Sequence, residues 1–424
     1  VTLFRDMRYP TPHELALAGR ALADEHPGLV RLRRAGTSRG GRPLWLLSAG
    51  ADSSGGRNVL VVAGAHANEP VGGATALSLA RRVIQEPALR DGCGWHLLLC
   101  ADPDGAALHR TPRPYSLLDY HRHFFRPPGP EQPEWAPSLL PPDRLPPETL
   151  ALTALIDELR PRLQVSLHGT DLGGSWVQLT RDVPGLAEPF GKSAAELRIP
   201  VETGASDAAG WPSPGPGIFV MPHAGSEATG VFHPDDTRLS TWYHAHRYDG
   251  TTAIVEAPMW ASDLVDDPAP HPDPRGALAA FAHRLGEEAG QVARVLAAAR
   301  PGLPADDEAL AAPLLRAVDW TLELIPRIEQ AWAGGEVPAE ATAAYVGSID
   351  AFGRRLPLRA AAMLLRVLRS AGHGSAPELE RLVTLWCAAF ADRFQARWVP
   401  VATQVEHQSR TVLATWARLA ALTR

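Results

Sequence analysis

The sequence predicts an α/β domain over about its first 300 residues, followed by an all-α domain over 301–424. Three observations carry that reading. Short Val- and Leu-rich runs, NVLVVAG at 58–64, WHLLLCA at 95–101, LQVSLHG at 163–169 and TTAIVEAPM at 251–259, have the pattern of strands buried on both faces. Helix-period segments are interspersed among them, as in EPVGGATALSLARRV, where Ala76, Leu79, Ala80 and Val83 share one face. After about Asp273 the strand signal stops, and Ala/Leu-rich amphipathic segments take over.

Taken in order, 12–25 is a helix whose first turn is written in T-P-H-E. Thr11 is the N-cap, Pro12 the first residue and Glu14 the capping-box partner. VRLRRAG and PLWLLSAG, joined by TSRGGR, form a hairpin. The 58–64 strand and its helix follow, then WHLLLCA ending in the turn DPDG. Residues 111–147, rich in Pro, Arg, His and aromatics, make a long loop, a class that is usually functional. A helix at 148–159 leads into the LQVSLHG strand, and 203–247 is irregular before TTAIVEAPM. The C-terminal helices fall at 277–300, 310–332, 340–352, 358–370, 378–397 and 401–422, separated by Gly/Pro breaks.

Composition excludes several classes. Over 424 residues, 45% apolar and 21% charged content is that of a globular protein. A net charge of −6 and the lack of a basic run argue against nucleic acid as a partner. No run of about eighteen apolar residues is present, so no membrane partner is expected. The opening VTLFRDMRYPTPHEL does not read as a secretory signal, and Cys93, Cys100 and Cys387 are scattered without a C-x-x-C. A reduced, cytoplasmic setting is the expectation.

The chemistry gathers at strand ends. GAHANEP puts His66 and Glu69 on the turn from a buried strand into a helix, where α/β sheets bind ligands. His168 and Glu256 stand near the ends of two further buried strands. Two histidines and a carboxylate with an open fourth position form the ligand set of a catalytic zinc site, one Zn2+ per chain. A carboxylate on a neighbouring strand is placed to take a proton from a zinc-bound water. The pairs His121/His123 and His244/His246 are read as polar loop residues rather than a second metal site.

Six motifs in order resemble those of the zinc carboxypeptidases, the carboxypeptidase A-like family with its amidase and deacylase relatives. They are GTSRGGRPLW (36–45), HANE (66–69), DPDG (102–105), DYHRHF (119–124), SLHG (166–169) and IVEAP (254–258). The resemblance covers roughly residues 10–300. It implies a mixed, mostly parallel sheet flanked by helices. It also implies zinc held by His66, Glu69 and His168, with Glu256 as general base and then acid. Asp119 would fix the His66 ring, Arg122 would clamp a substrate carboxylate, and Arg113, or else Arg110, would steady the oxyanion. His121 stands where the family has an Asn that helps hold that carboxylate. Tyr248, ahead of Tyr243, takes the place of the family's mobile tyrosine. The loop FFRPPGPEQPEW (124–135) has no counterpart and is expected to shape the substrate pocket.

The leading functional expectation is therefore a metallocarboxypeptidase cleaving an amide bond beside a free carboxylate. An amidase or N-acyl-amino-acid deacylase acting on a small intracellular or carrier-linked substrate is the alternative. A zinc-stabilised, non-catalytic binding protein is the third. The helical domain is expected to offer a homo-oligomer or carrier contact.

Overall fold

The computed structural model describes residues 7–50, 57–208, 210–222, 237–303, 311–334, 337 and 341–422. Residues 209 and 223–236 of the irregular stretch, and the expected helix starts at 310 and 340, lie outside the described residues.

Helix α1 (Pro12–Glu25) begins as its capping box dictates. Thr11 Oγ1 accepts from the Glu14 N–H at 3.3 Å, and the Glu14 carboxylate accepts from the Thr11 N–H at 2.8 Å. Strands β1 (Val30–Thr37) and β2 (Pro43–Ala49) form the antiparallel hairpin. The remaining strands are β3 (Val59–Ala63), β4 (Trp95–Leu98), β5 (Leu163–Gly173), β6 (Trp176–Leu179), β7 (Ile218–Val220), β8 (Thr251–Ala261) and β9 (Arg397–Trp398). They assemble in the order β1-β2-β4-β3-β5-β8-β6-β7, with β9 added beside β8. The four central strands β4, β3, β5 and β8 are parallel, and antiparallel pairs flank them.

Both faces of that centre are covered. Val59, Val61 and Ala63 join the apolar layer under α2 (Val71–Gln85), while Leu60 and Val62 point into the layer under α5 (Pro147–Leu159). This two-sided burial explains the unbroken apolar runs in the sequence. Strands β6 and β7 and helix α6 (Ala187–Leu197) were not visible as patterns. Four and three residues are too few to show a period.

The C-terminal region is helical: α7 (Pro274–Ala299), α8 (Ala311–Gly334), α9 (Ala343–Ser370), α10 (Ala376–Arg393) and α11 (Val401–Ala421). Two features depart from the sequence reading. Helix α9 runs through Pro357, where two helices were expected. A proline inside a helix costs about 3 kcal/mol, but Leu358, Leu364, Leu365 and Leu368 are fully buried, and their packing holds the helix together. The chain also does not divide cleanly at residue 300. Val412, Trp416 and Leu419 of α11 share an apolar core with Leu79 and Val83 of α2, so the last helix belongs to the α/β layer. Gln408 on α11 donates to the carbonyls of His168 and Val255 at 2.6 and 3.2 Å, tying it to β5 and β8.

Candidate metal centre

Strand β3 ends at Ala63 and Gly64 turns the chain at φ +63, with Cys100 Sγ only 3.0 Å from where a Cβ would stand. Only glycine makes that turn without strain. The turn that follows is closed by the Glu69 N–H donating to the His66 carbonyl at 3.1 Å, which puts both side chains over the carboxyl edge of the sheet. His168 comes from β5 and Glu256 from β8, and these two residues are register partners on adjacent parallel strands. Leu167 and Val255 face the α2 layer, so period-2 alternation sends both His168 and Glu256 to the opposite face.

The result is a buried cluster. His66, Glu69 and His168 each offer a ligand atom, all within 4.8 Å of one another. His66 Nδ1 lies 3.0 Å from both Glu69 oxygens, and His168 Nδ1 lies 3.0 Å from Glu69 Oε2. Glu256 Oε1 is 3.9 Å from His168 Nδ1. Behind this cluster, His168 Nε2 meets Glu134 Oε2 at 3.0 Å. Glu134 in turn accepts from Ser166 Oγ at 2.7 Å and Trp242 Nε1 at 2.8 Å. On the other side Arg126 donates to Glu69 at 3.1 Å and lies 3.0 Å from His66 Nε2.

The electrostatics follow from this crowding of carboxylates. Burial acts against the charge on Glu69, yet His66 and His168 outweigh it and hold its carboxyl well below the usual range. Burial also opposes a proton on His168, but Glu69 and Glu134 hold its pKa well above that of a free imidazole. Burial and Arg126 push His66 down to about 4. Burial, and next the Glu69 charge, push Glu256 up to about 8. Three buried carboxyl groups thus surround two imidazoles, and the arrangement calls for positive charge.

A divalent cation fits that demand. The donors are two imidazoles and a carboxylate, the set that suits zinc. Both Nδ1 atoms face Glu69, and the Glu134 contact fixes the outer nitrogen of His168 as carboxylate–histidine–metal triads do. The proton inventory adds one consequence. An imidazole that gives its Nδ1 lone pair to a metal carries its proton on Nε2, where Arg126 now points an N–H. Two donors cannot share that contact, so a metal held at His66 Nδ1 would require Arg126 to leave Nε2.

The cluster opens into a cavity of about 590 Å3. One wall comes from the sheet and its loops: Trp176, Gln178, Glu202, Asp207 and Glu256. The opposite wall comes from α8 and α9, which lie over the site as a roof. The roof is latched to the strand that carries His168. Asp171, fully buried, sits 2.6 Å from Arg355 Nε and 3.0 Å from Arg359 Nη2, and Arg355 also donates to Thr170 Oγ1 and the Leu172 carbonyl.

His66, Glu69, His168 and Glu256 are thus brought together, and the other expected site residues are not. Asp119 bonds Ser116 Oγ at 2.7 Å and Arg122 at 3.2 Å, away from His66. Arg122 is held by Glu380 of α10 at 2.5 Å. His121 is fully buried beneath the site, with Nδ1 2.8 Å from the Leu117 carbonyl and Nε2 3.6 Å from Asp171. Arg113 lies on the surface beside Tyr115, and Arg110 lines a second cavity. Tyr248 donates to Asp157 at 2.8 Å on the outer face of the domain, and Tyr243 stacks near His246. Neither tyrosine lines the cavity. For Asp119 and Arg122 the cause is helix α4 (Leu117–Arg122), which carries the first four residues of DYHRHF and presents Arg122 to Glu380 of α10, while the segment after it delivers Arg126 to the cluster instead.

Sequence reasoning missed Arg126, Glu134 and Trp242, and the roof. Arg126 and Glu134 lie within or beside the loop singled out as pocket-forming, but nothing in their spacing marks their roles. Arginines at 327, 355 and 359 on otherwise apolar helical stripes were the available signal for the roof.

The site thus joins two histidines and a carboxylate beside the end of β3, with Glu256 on the strand next to that of His168. Residues 18–176 match the zinc carboxypeptidase family model, a stretch that holds His66, Glu69 and His168 and ends before Glu256. No curated protein matches the sequence. Among solved structures, the chain is similar to a metallo-carboxypeptidase from Burkholderia cenocepacia, at 18% identity over 59% of this chain and 60% of that one, TM-score 0.37. It is also similar to carboxypeptidase A from Helicoverpa armigera, at 17% identity over 59% and 65%, TM-score 0.37. The chain thus spans less than two thirds of either protein. Among the described residues, no helix is long and apolar enough to cross a membrane.

Proposed function

We propose that this chain is a zinc-dependent hydrolase of an amide bond beside a free carboxylate, metallocarboxypeptidase-like in its chemistry. The observation that carries the reading is the convergence of His66, Glu69 and His168 with Glu256 on the next strand, all lining one cavity. Zinc held by those three residues supplies, when bound, a Lewis acid and a water acidic enough to react near neutral pH. A cation beside Glu256 would offset the Glu69 charge and favour its carboxylate form, which takes the proton from the attacking water and returns it to the leaving nitrogen. Arg126, which lines the cavity beside the cluster, is a better candidate for the oxyanion than Arg113 or Arg110, neither of which lines it. Glu134 keeps the His168 ring oriented.

A second reading, a deacylase of small N-acyl amino acids, is favoured by two observations. The arginine expected to clamp a polypeptide's terminal carboxylate, Arg122, is paired with Glu380 outside the cavity. The roof also encloses a volume typical of small-molecule sites, about 300–1,000 Å3. Mass-spectrometric profiling of wild type and Glu256→Gln against C-terminally varied peptides and N-acyl amino acids, with and without chelator, separates the two. Turnover that survives in Glu256→Gln, or in chelator, refutes the zinc-hydrolase reading.

A further inference from the structure

The cavity has two chemically different halves. On the sheet side Gln178, Glu202 and Asp207 give a polar wall, with Glu202 pushed up to about 7 by burial. On the roof side Trp320, Leu324 and Ile328 of α8 recur at four-residue spacing, and Phe352, Leu356 and Met363 of α9 lie on one face at i, i+4 and i+11. Two helix stripes of this kind normally close on each other as core. Here most of the two stripes does so, with Ile328 and Met363 buried, while the half-buried Trp320, Leu324, Phe352 and Leu356 border the cavity.

The roof is not a loose flap. Arg355 and Arg359 anchor α9 to Asp171, three residues beyond His168. Ser348 Oγ donates to the Gly204 carbonyl, and Arg366 donates to the Phe124 and Leu108 carbonyls at 2.7 and 2.8 Å. An apolar surface held this firmly beside a reacting centre is a preformed subsite. Arg327, on the same face of α8, is exposed at its edge and makes no ion pair among the described residues.

We propose that the roof selects the substrate: a small amide whose hydrocarbon limb packs against Trp320, Leu324, Phe352 and Leu356 while its carboxylate turns to Arg327 at the edge of α8. The inference rests on the amide-hydrolase reading and narrows it to amphipathic acyl conjugates, with α8 and α9 as the specificity element.

The test is a series of N-acyl amino acids with acyl chains from acetyl to decanoyl, assayed with the zinc-loaded full chain. Transfer of each methylene from water to an apolar surface corresponds to about a threefold to fourfold gain in kcat/KM, continuing until the subsite is full. Thr321→Trp, which adds bulk to the cavity without removing core packing, moves the optimum to shorter chains. Trp320→Ala moves it to longer ones.

Calorimetric binding of the matching alkyl carboxylates keeps the inference separable from the hydrolase reading. Affinity that rises with chain length in wild type and is truncated in Thr321→Trp supports the roof subsite even when no amide is turned over. A flat chain-length profile in both rate and binding, or profiles unchanged by both variants, overturns it.

Discussion

Replacing Asp171 by Asn is the sharpest perturbation of this architecture. The substitution keeps the shape of the side chain but removes the carboxylate paired with two guanidiniums, Arg355 and Arg359, whose side chains are 14% and 16% exposed. The two cations hold the Asp171 carboxyl well below its usual range against the pull of burial, the signature of a committed ion pair. Removing one partner of a buried pair costs about 3–5 kcal/mol, because the remaining charge is left uncompensated. Unfolding entropy of about 2.1 cal/mol/K per residue over 424 residues converts each kcal/mol into roughly 1 °C. Calorimetry should therefore record a melting temperature about 3–6 °C lower. The triple variant Asp171→Leu, Arg355→Met, Arg359→Met should recover most of that loss, since apolar replacements of a buried pair are near neutral. A melting temperature within 1 °C of wild type for Asp171→Asn would refute the latch, and with it the rigid roof.

Three further outcomes follow from the same contacts. Arg126→Ala removes a charged donor that competes for Glu69 and His66, so zinc affinity measured against a chromophoric chelator should rise about tenfold, at about 1.5 kcal/mol for such a bond. Its turnover should fall about 10²–10³-fold if Arg126 faces the oxyanion. Glu134→Gln loosens the outer hold on His168 and should weaken zinc binding 10- to 100-fold in the same assay. His407, buried between Ser193 and Ser175, has its imidazole pushed down to about 3 by burial and then by Arg410. The unfolded chain then binds a proton that the native state refuses. Stability is whole above about pH 6.5 and is lost as pH falls toward 3, by about 1.4 kcal/mol per pH unit. Urea titrations from pH 7 to 4 should show that slope reduced in His407→Gln, and equal slopes would count against it.

Much of the α/β half was legible because its signals are local. Thr11 and Glu14 write a cap, and the buried strands write apolar runs. His66 and Glu69 follow the end of β3, as their turn composition implies. His168 and Glu256 were expected near strand ends and lie in the middle of β5 and β8, which run on to Gly173 and Ala261; the parallel register still gathers them. What was not legible depends on long-range packing. Whether Arg122 or Arg126 reaches the site turns on where α4 ends and on Glu380, over 250 residues downstream. Pro357 reads as a helix break unless the burial of the leucines that follow it is known. The return of α11 to the sheet needs the uncovered surface between α2 and α6, which only the assembled fold provides. The roof was hidden for a similar reason. An apolar stripe looks the same in sequence whether it faces a partner helix or a substrate.

The measurement that bears most directly on the central claim is an anomalous diffraction map at the zinc edge from crystals grown with zinc. The account predicts one strong peak per chain touching His66, Glu69 and His168, with Glu256 beside it and Arg126 withdrawn from His66. A map with no peak at that cluster, or with zinc held by other residues while Arg126 stays on His66 and Glu69, would contradict it.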